Sequence, residues 1–403
     1  MAAIFGMRDT GDWSTAEAPT AFSDRILYHY PDGPARFTML LGRLAPKSVD
    51  SKKFTIFEQG LQLQRIKLGA TQAEDVTTLT LDSSGNYAQG AYPGAFLRKG
   101  YVCMIESTQE VIVVDTNPAA TATTISVVRD LNGAVADNDY STTAADYLIV
   151  IGSAHPEGAD VPRSLSENPD ELFNYNQVFR TPMSLTGNAQ EEYLRTGKPE
   201  TAEKFKIGLE HSRSMELGFI FGQKASTTVD GETVRFTGGL NHWITSNVGS
   251  FATAGGISLT TWENFLEPIY SAPGGMDEKI AFCGSQAMVA LNRLAMENSA
   301  MNVTPGDTTF GLKFKRYEHA HGSLQCMSHP LLSQNATFKS SIFIVDAKNV
   351  RRRFVKNRDT KFLKDRQSPG VDGITHEFLT DTGLELQHEA THGVAHGITA
   401  YIP

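Results

Sequence analysis

Cysteine is scarce and long apolar runs are absent, and each shortage removes a class of protein. Cys103, Cys283 and Cys326 stand far apart in 403 residues and form no CxxC pair. That excludes a disulfide-stapled scaffold or a zinc ribbon and leaves three reduced thiols in packed positions. No stretch approaches 18 consecutive apolar residues, so no helix is expected to span a membrane. Met1 to Trp13 holds Arg8, Asp9 and Asp12 and lacks the apolar centre of a secretory signal, which points to folding in a reducing cytoplasm. The 17 prolines and 35 glycines are spread along the chain and leave no low-complexity linker. Catalytic signatures are equally sparse: there is no Ser/His/Asp set, paired-carboxylate helix or dinucleotide fingerprint. GNYAQG (85–90) and AYPGAF (91–96) are glycine-bearing, but no Lys-Ser or Lys-Thr pair follows, so they are turns and no cofactor is expected.

What is present is an ordinary globular composition, 40% hydrophobic and 20% charged, long enough for two or three domains. Net charge is −9, which argues against a surface built wholly for nucleic acid. The charge is uneven: nine Lys or Arg and two Asp between Lys348 and Arg366 give +7, so −9 less 7 leaves −16 on the rest. A basic strip sits on an acidic body.

The longest uninterrupted helical pattern runs from Thr201 to Lys224, about 36 Å at 1.5 Å per residue. Phe205, Gly208, Leu209, Ser212, Met215, Phe219 and Gly222 share one face, and Gly208 and Gly222 predict close backbone crossings. Glu203, Lys204, Lys206, Glu210, Arg213 and Glu216 keep the opposite face wet or free for neighbours. Before this spine, residues 1–50 are broken repeatedly by glycine and proline and predict an extended arm held by neighbouring subunits. Lys53–Leu68 and Asn174–Leu185 are the two limbs of a long hairpin. Between them VTTLTL, YVCMIES, EVIVVD, TTISVVR and DYLIVIG predict a small barrel or sandwich at about 75–152.

After the spine, Asp230-Gly231 predicts a tight hairpin, Thr260 or Thr261 caps a helix to Tyr270, Lys279–Phe282 is a strand, and Ser285 caps a helix to Asn298. Gly311–Glu318 and Ser323–Met327 are paired strands, followed by strands at Ser341–Val345 and Val350–Val355. Gly373–Glu389 is a strand pair turning at Thr382-Gly383. His388-Glu389-Ala390-Thr391-His392 matches HExxH, with His396 four further on, which on a helix would bind zinc. The alternation of Leu384, Leu386 and His388 favours a strand, on which His388 and His392 lie about 13 Å apart and share no metal. His319, His321 and His329 are expected as incidental surface groups near a turn.

The order of these elements, with NYNQVFRTPMSLT (174–186), ELGFIFG (216–222), GGLNHWI (238–244) and Ile342–Asp346 leading into Val350–Arg353, resembles the major capsid proteins of tailed bacteriophages with the Hong Kong 97 fold. The head proteins of podophages with elongated heads are especially similar. The resemblance implies an α+β capsid fold: an arm at 1–50, an extended loop at 51–189 with a β-barrel inserted at about 75–152, a peripheral domain at 190–235 and 341–403, and an axial domain at 236–340. It also implies a virion shell of hexameric and pentameric capsomers assembled in the host cytoplasm without catalysis or membrane. Portal and scaffold or decoration proteins would be its partners, and double-stranded DNA would be enclosed without sequence-specific binding. No internal scaffold segment is expected ahead of the arm. Arg351, Arg352, Arg353, Lys356 and Arg358, with Glu210, Arg213 and Glu216 on the spine, are the candidate assembly interface. For the strip, pairing with a neighbour, a plain solvated face and contact with DNA all stay open. A phage tail or decoration protein and a zinc metalloprotease are the alternatives.

Overall fold

Period-two alternation builds the inserted unit, Thr55–Leu172, from the runs that predicted it. Thr78–Thr80, Tyr101–Ile105, Val111–Val114, Thr124–Val128 and Tyr147–Ser153 are all strands, and Arg65–Lys67 is a sixth. The computed structural model describes residues 33–402 apart from 61–64, 73–75, 83–92, 120, 130, 132–142, 145, 167, 193–196, 253–254, 298–301, 305–307, 310–311 and 314. The expectations for the arm before residue 33 and for GNYAQG therefore lie outside the described residues. The six strands form one antiparallel sheet, with Arg65–Lys67 and Thr78–Thr80 outermost. Those two are themselves joined: the Gly69 N–H donates to Thr80 O at 2.9 Å and the Asp82 N–H to Lys67 O at 2.9 Å. Alternate residues Tyr101, Cys103 and Ile105, Ile112 and Val114, and Ile125 and Val127 fill a core of the unit's own.

The second unit, Met1–Phe54 with Phe173–Pro403, holds two larger sheets. One has seven strands in the order Val248–Ser250, Gly393–His396, Ile342–Val345, Glu278–Cys283, Gly322–Ser328, Lys315–His319, Asn302–Thr304. Its central strands are covered on both faces, so IFIV (342–345) is continuously apolar rather than alternating. Ala281, Cys283, Ile342 and Ile344 face helices Leu259–Ser271 and Ser285–Glu297, which bury Trp262, Leu266, Ile269, Leu291 and Leu294. Ile280, Phe282, Phe343 and Val345 face the other way, toward the spine helix. The cap of the first helix is Ser258 in a capping box with Thr261, two or three residues earlier than expected. Ile342–Val345 and Gly393–His396 lie inside this sheet, so it does not respect the boundary expected at 340/341.

The other sheet is organised by Gly373–Leu386, one unbroken strand of 14 residues. The turn expected at Thr382-Gly383 is absent. Gly383 is there for close approach instead, because a Cβ would stand 2.7 Å from Tyr175 O and 2.9 Å from the Phe54 ring. Gln177–Thr186 pairs antiparallel along one edge, from Gln177↔Thr382 to Thr186↔Gly373. The limb at 174–185 thus bonds mainly to the C-terminal strand, and only Asp170–Tyr175 pairs with Lys53–Glu58. Along the opposite edge lie Val350–Val355 and then Lys361–Leu363. Ala225–Val229 and Glu232–Phe236 form the expected hairpin, with Asp230 and Gly231 both at positive φ.

The spine helix is Pro199–Phe221, 23 residues, opened by a proline in its first turn. Its buried stripe is Ile207, His211, Met215 and Phe219, with Glu216 and Ile220 beside them. The stripe is rotated from the expected face, and Phe205 is 44% exposed. Gly222 does mark a backbone crossing, against Thr237 O, whereas Gly208 meets only the Phe378 ring at 3.7 Å. The arm also departs from expectation. Arg36–Arg43 is a helix whose Phe37, Leu40 and Leu41 are wholly buried, so the stretch before residue 50 is not extended throughout.

Lys279 and Asp346 form an ion pair at 3.0 Å with both side chains fully buried. Asp346 also accepts from the N–H groups of Met276 at 2.7 Å and Lys348 at 2.9 Å, so its charge is well solvated by the fold. Lys279→Met is expected to destabilise the subunit by about 3–5 kcal/mol by leaving that carboxylate without its cation. Urea denaturation of the unassembled chain measures this, and an unchanged midpoint contradicts it.

Candidate functional site

The basic strip meets its match on the long strand. Glu377, Asp381 and Glu385 recur every four residues of Gly373–Leu386 and therefore share one face. All three are nearly buried, at 6%, 7% and 0% side-chain exposure. Each holds an arginine: Arg180 at 2.6 Å and Arg366 at 3.4 Å on Glu377, Arg358 at 3.2 Å on Asp381, and Arg353 on Glu385. Burial pushes the Asp381 carboxyl up, and Arg358 pulls it back down. Arg352, on the opposite face of its own strand, is buried and pairs with Asp359, and burial lowers its pKa.

The proposed interface residues thus divide. Arg352, Arg353 and Arg358 are spent inside the subunit. Arg351, Lys356, Lys361 and Lys364 meet no carboxylate among the described residues, and the three lysines are exposed. On the spine, Glu210 and Arg213 are exposed as expected.

Glu216 is the correction: it is 0% exposed and belongs to no solvated face. Its carboxylate accepts the Phe37 N–H at 2.7 Å, the Thr38 N–H at 2.6 Å and the Thr38 hydroxyl at 2.6 Å. His329 Nε2 lies 2.5 Å away, so His329 is also buried and is no surface group. The helix Arg36–Arg43 has no side-chain cap of its own, and Glu216 supplies that cap from near the C-terminal end of the spine. Sequence spacing hid this because Glu216 lies at the border of the stripe. The available signal was its position three and four residues before Phe219 and Ile220. Another polar anchor, His211, bonds Thr181 Oγ1 at 3.0 Å and Thr380 Oγ1 at 2.7 Å, tying the spine to both long strands.

The HExxH residues are neither one helix nor one strand. The long strand ends at Leu386, His388 is left-handed, Glu389–Thr391 is a single tight turn, and Gly393–His396 is a strand in the other sheet. Glu389 accepts the N–H groups of Thr245 at 2.6 Å and Ser246 at 2.8 Å, and the Ser246 hydroxyl at 2.6 Å. His392 is buried, its Nδ1 accepts the Asp346 N–H at 3.2 Å, and its Nε2 donates to Gln387 O at 3.2 Å. His396 Nδ1 contacts Ser341 Oγ at 2.9 Å. The motif pins the chain as it crosses from one sheet to the other.

A family profile described as SU10 major capsid protein matches residues 10–399. A major capsid protein of Pseudomonas phage PaMx41 is 22% identical over 352 residues, 85% of this chain and 80% of that one. Among solved structures, a chain of Mycobacterium phage Bobi aligns over 96% of this chain and 98% of its own, at 10% identity and TM-score 0.45. The capsid of a native GTA particle aligns over 95% and 96%, at 10% identity and TM-score 0.44.

Two outcomes follow from this geometry. Glu216→Ala leaves the backbone donors of Phe37 and Thr38 and the ring of His329 without their acceptor, for an expected loss of about 3–5 kcal/mol. Trypsin is expected to cut at Arg36 or Arg43 before global unfolding, and wild-type protection of those sites counts against the cap. Burial also lowers His392 to about 4, against about 6.5 for a free imidazole. The folded state then binds fewer protons between those values, so this contribution is whole above pH 6.5 and is lost as pH falls toward 4, up to about 3 kcal/mol. Urea midpoints of wild type and His392→Asn at pH 7, 5 and 4 are expected to converge in acid, and parallel curves reject the assignment.

Proposed function

Because the chain belongs to the SU10 major capsid protein family, we propose that it closes by self-association into an icosahedral or prolate phage head of Hong Kong 97-like subunits. It is a structural, shell-forming component of a phage particle. Hexameric and pentameric capsomers, assembled in the host cytoplasm, are the units of that shell in this reading. A portal, a scaffold or decoration protein, and double-stranded DNA enclosed without sequence readout are its partners. The match over residues 10–399 carries the proposal, since it takes in both sheets and the inserted unit together.

The fold suits the role. Rings close through heterologous contacts, in which each copy offers one surface and receives another, and a subunit with separate sheets, a hairpin and an N-terminal segment has several surfaces to offer. The domain assignment proposed is an arm at 1–50 that includes the helix Arg36–Arg43, an extended loop at 51–189 carrying the six-stranded unit, a peripheral part around the spine and the long strand, and an axial part around the seven-stranded sheet. Arg351, Lys356, Glu210 and Arg213 are retained as interface residues. No catalytic step is assigned, and the carboxylate that would serve as base in HExxH is occupied by backbone donors.

Negative-stain microscopy of the purified full chain under assembly conditions is expected to show closed shells or rings. Tubes would favour a tail protein, and monodisperse single subunits at every concentration would refute self-assembly.

A further inference from the structure

The hairpin Ala225–Phe236 is hydrogen-bonded into neither sheet of its unit, and only its base, Thr233 to Phe236, lies beside Asn176, Gln177 and Val178. Its strands pair only with each other among the described residues, through five rungs from Ala225↔Phe236 to Val229↔Glu232, a ribbon about 17 Å long. Every residue from Ser226 to Thr233 is exposed. A lone two-stranded ribbon is marginally stable in water, and Val229 at its tip is 46% exposed. Asp230 and Glu232 place two negative charges at that tip. Both meet no cation among the described residues, and the nearest cations in sequence, Lys224 and Arg235, lie at the base. Lys224 is already engaged there, 4.3 Å from the Phe173 ring and 4.9 Å from the Trp243 ring.

The complementary surface is the uncompensated part of the basic strip. Arg351 is in register with Glu385 and Lys361 with Leu379, about 20 Å apart along one edge of the long strand, and Lys356 and Lys364 each follow directly after the end of their own strand. The other acidic candidate, the groove of about 470 Å³ lined by Glu191, Glu192 and Glu200, contains Lys198. It is therefore partly neutralised from within.

We infer that the Asp230/Glu232 tip of one copy docks on the Arg351/Lys356/Lys361/Lys364 line of a second copy. The inference rests on the shell-forming reading and names a contact that would run around a ring. The arrangement is heterologous, with tip meeting line and never tip meeting tip, so it propagates in one sense and closes by rotation. Exposed charge pairs set orientation and encounter rate more than affinity, so the contact selects register and weakens with salt.

Charge reversal in the full-length chain tests it. Asp230→Lys with Glu232→Lys, and separately Lys356→Glu with Lys361→Glu, are each expected to lower shell yield at least tenfold while the far-ultraviolet circular dichroism of the subunit stays unchanged. All four changes together are expected to restore shells, because Lys356 and Lys361 hold the middle of the line and each reversed tip then meets two reversed charges there. A folded fourfold variant that forms none overturns the docking, as does wild-type yield from either reversed pair. Shells that form normally but lose their DNA in the Lys356→Glu/Lys361→Glu variant overturn it in favour of a DNA contact. Independently, Asp230→Cys with Lys356→Cys is expected to give a ladder of covalent multimers on oxidation of shells, since the native thiols are buried. Monomers alone would overturn the contact. If the unaltered chain forms neither shells nor rings, the shell reading falls and takes this one with it. If it forms them and the reversals behave independently, only the docking falls.

Discussion

A strand buried on both faces and bonded along both edges leaves its neighbours little freedom, and Gly373–Leu386 is such a strand. Its even-numbered face carries His376, Phe378, Thr380, Leu384 and Leu386 under the spine helix, where the Phe378 ring stacks on His211 at 5.8 Å. Its odd-numbered face carries three carboxylates that would be prohibitive if unpaired. Those carboxylates dictate where Arg180, Arg353, Arg358 and Arg366 must lie, and so dictate the register of three flanking segments. A one-residue slip would exchange the faces and put glutamates under the spine.

The same economy recurs at Glu216 and at Glu389. Each is an acidic side chain that sequence spacing places near solvent or near a metal, and each instead collects backbone N–H groups from a segment more than 140 residues away in sequence. Glu216 fastens the helix Arg36–Arg43 to the spine, and Glu389 fastens the crossing between sheets to the loop at Thr245 and Ser246. In a shell-forming subunit, these buried anchors tie segments distant in sequence into one unit. The proposed contact between copies draws on the charge these anchors leave unpaired, on the hairpin tip and on the outer lysines.

Much of the architecture was legible. The five β-branched runs of the inserted unit, the spine, the Asp230-Gly231 hairpin and the strand and helix at 278–297 all follow from local pattern, because alternation, period and turn chemistry act over a few residues. The errors share one cause. Thr382-Gly383 resembles a turn only until Tyr175 and Phe54 are seen pressing on Gly383, the helix at 36–43 lacks a local cap because its cap comes from Glu216, and a strip of nine cations loses part of its charge to carboxylates that only the pairing of the next strand brings alongside.

The sequence by itself therefore determined the kind of each element and the capsid resemblance, since both reside in short-range pattern and in element order. Only the tertiary structure decided which charges are internal. A side chain's partner in an ion pair is set by what the fold brings within about 4 Å, and no periodicity along the chain encodes that distance. So Arg352, Arg353, Arg358 and Glu216 became internal parts of the subunit, while Arg351, Lys356, Lys361 and Lys364, in the same strip, meet no carboxylate among the described residues.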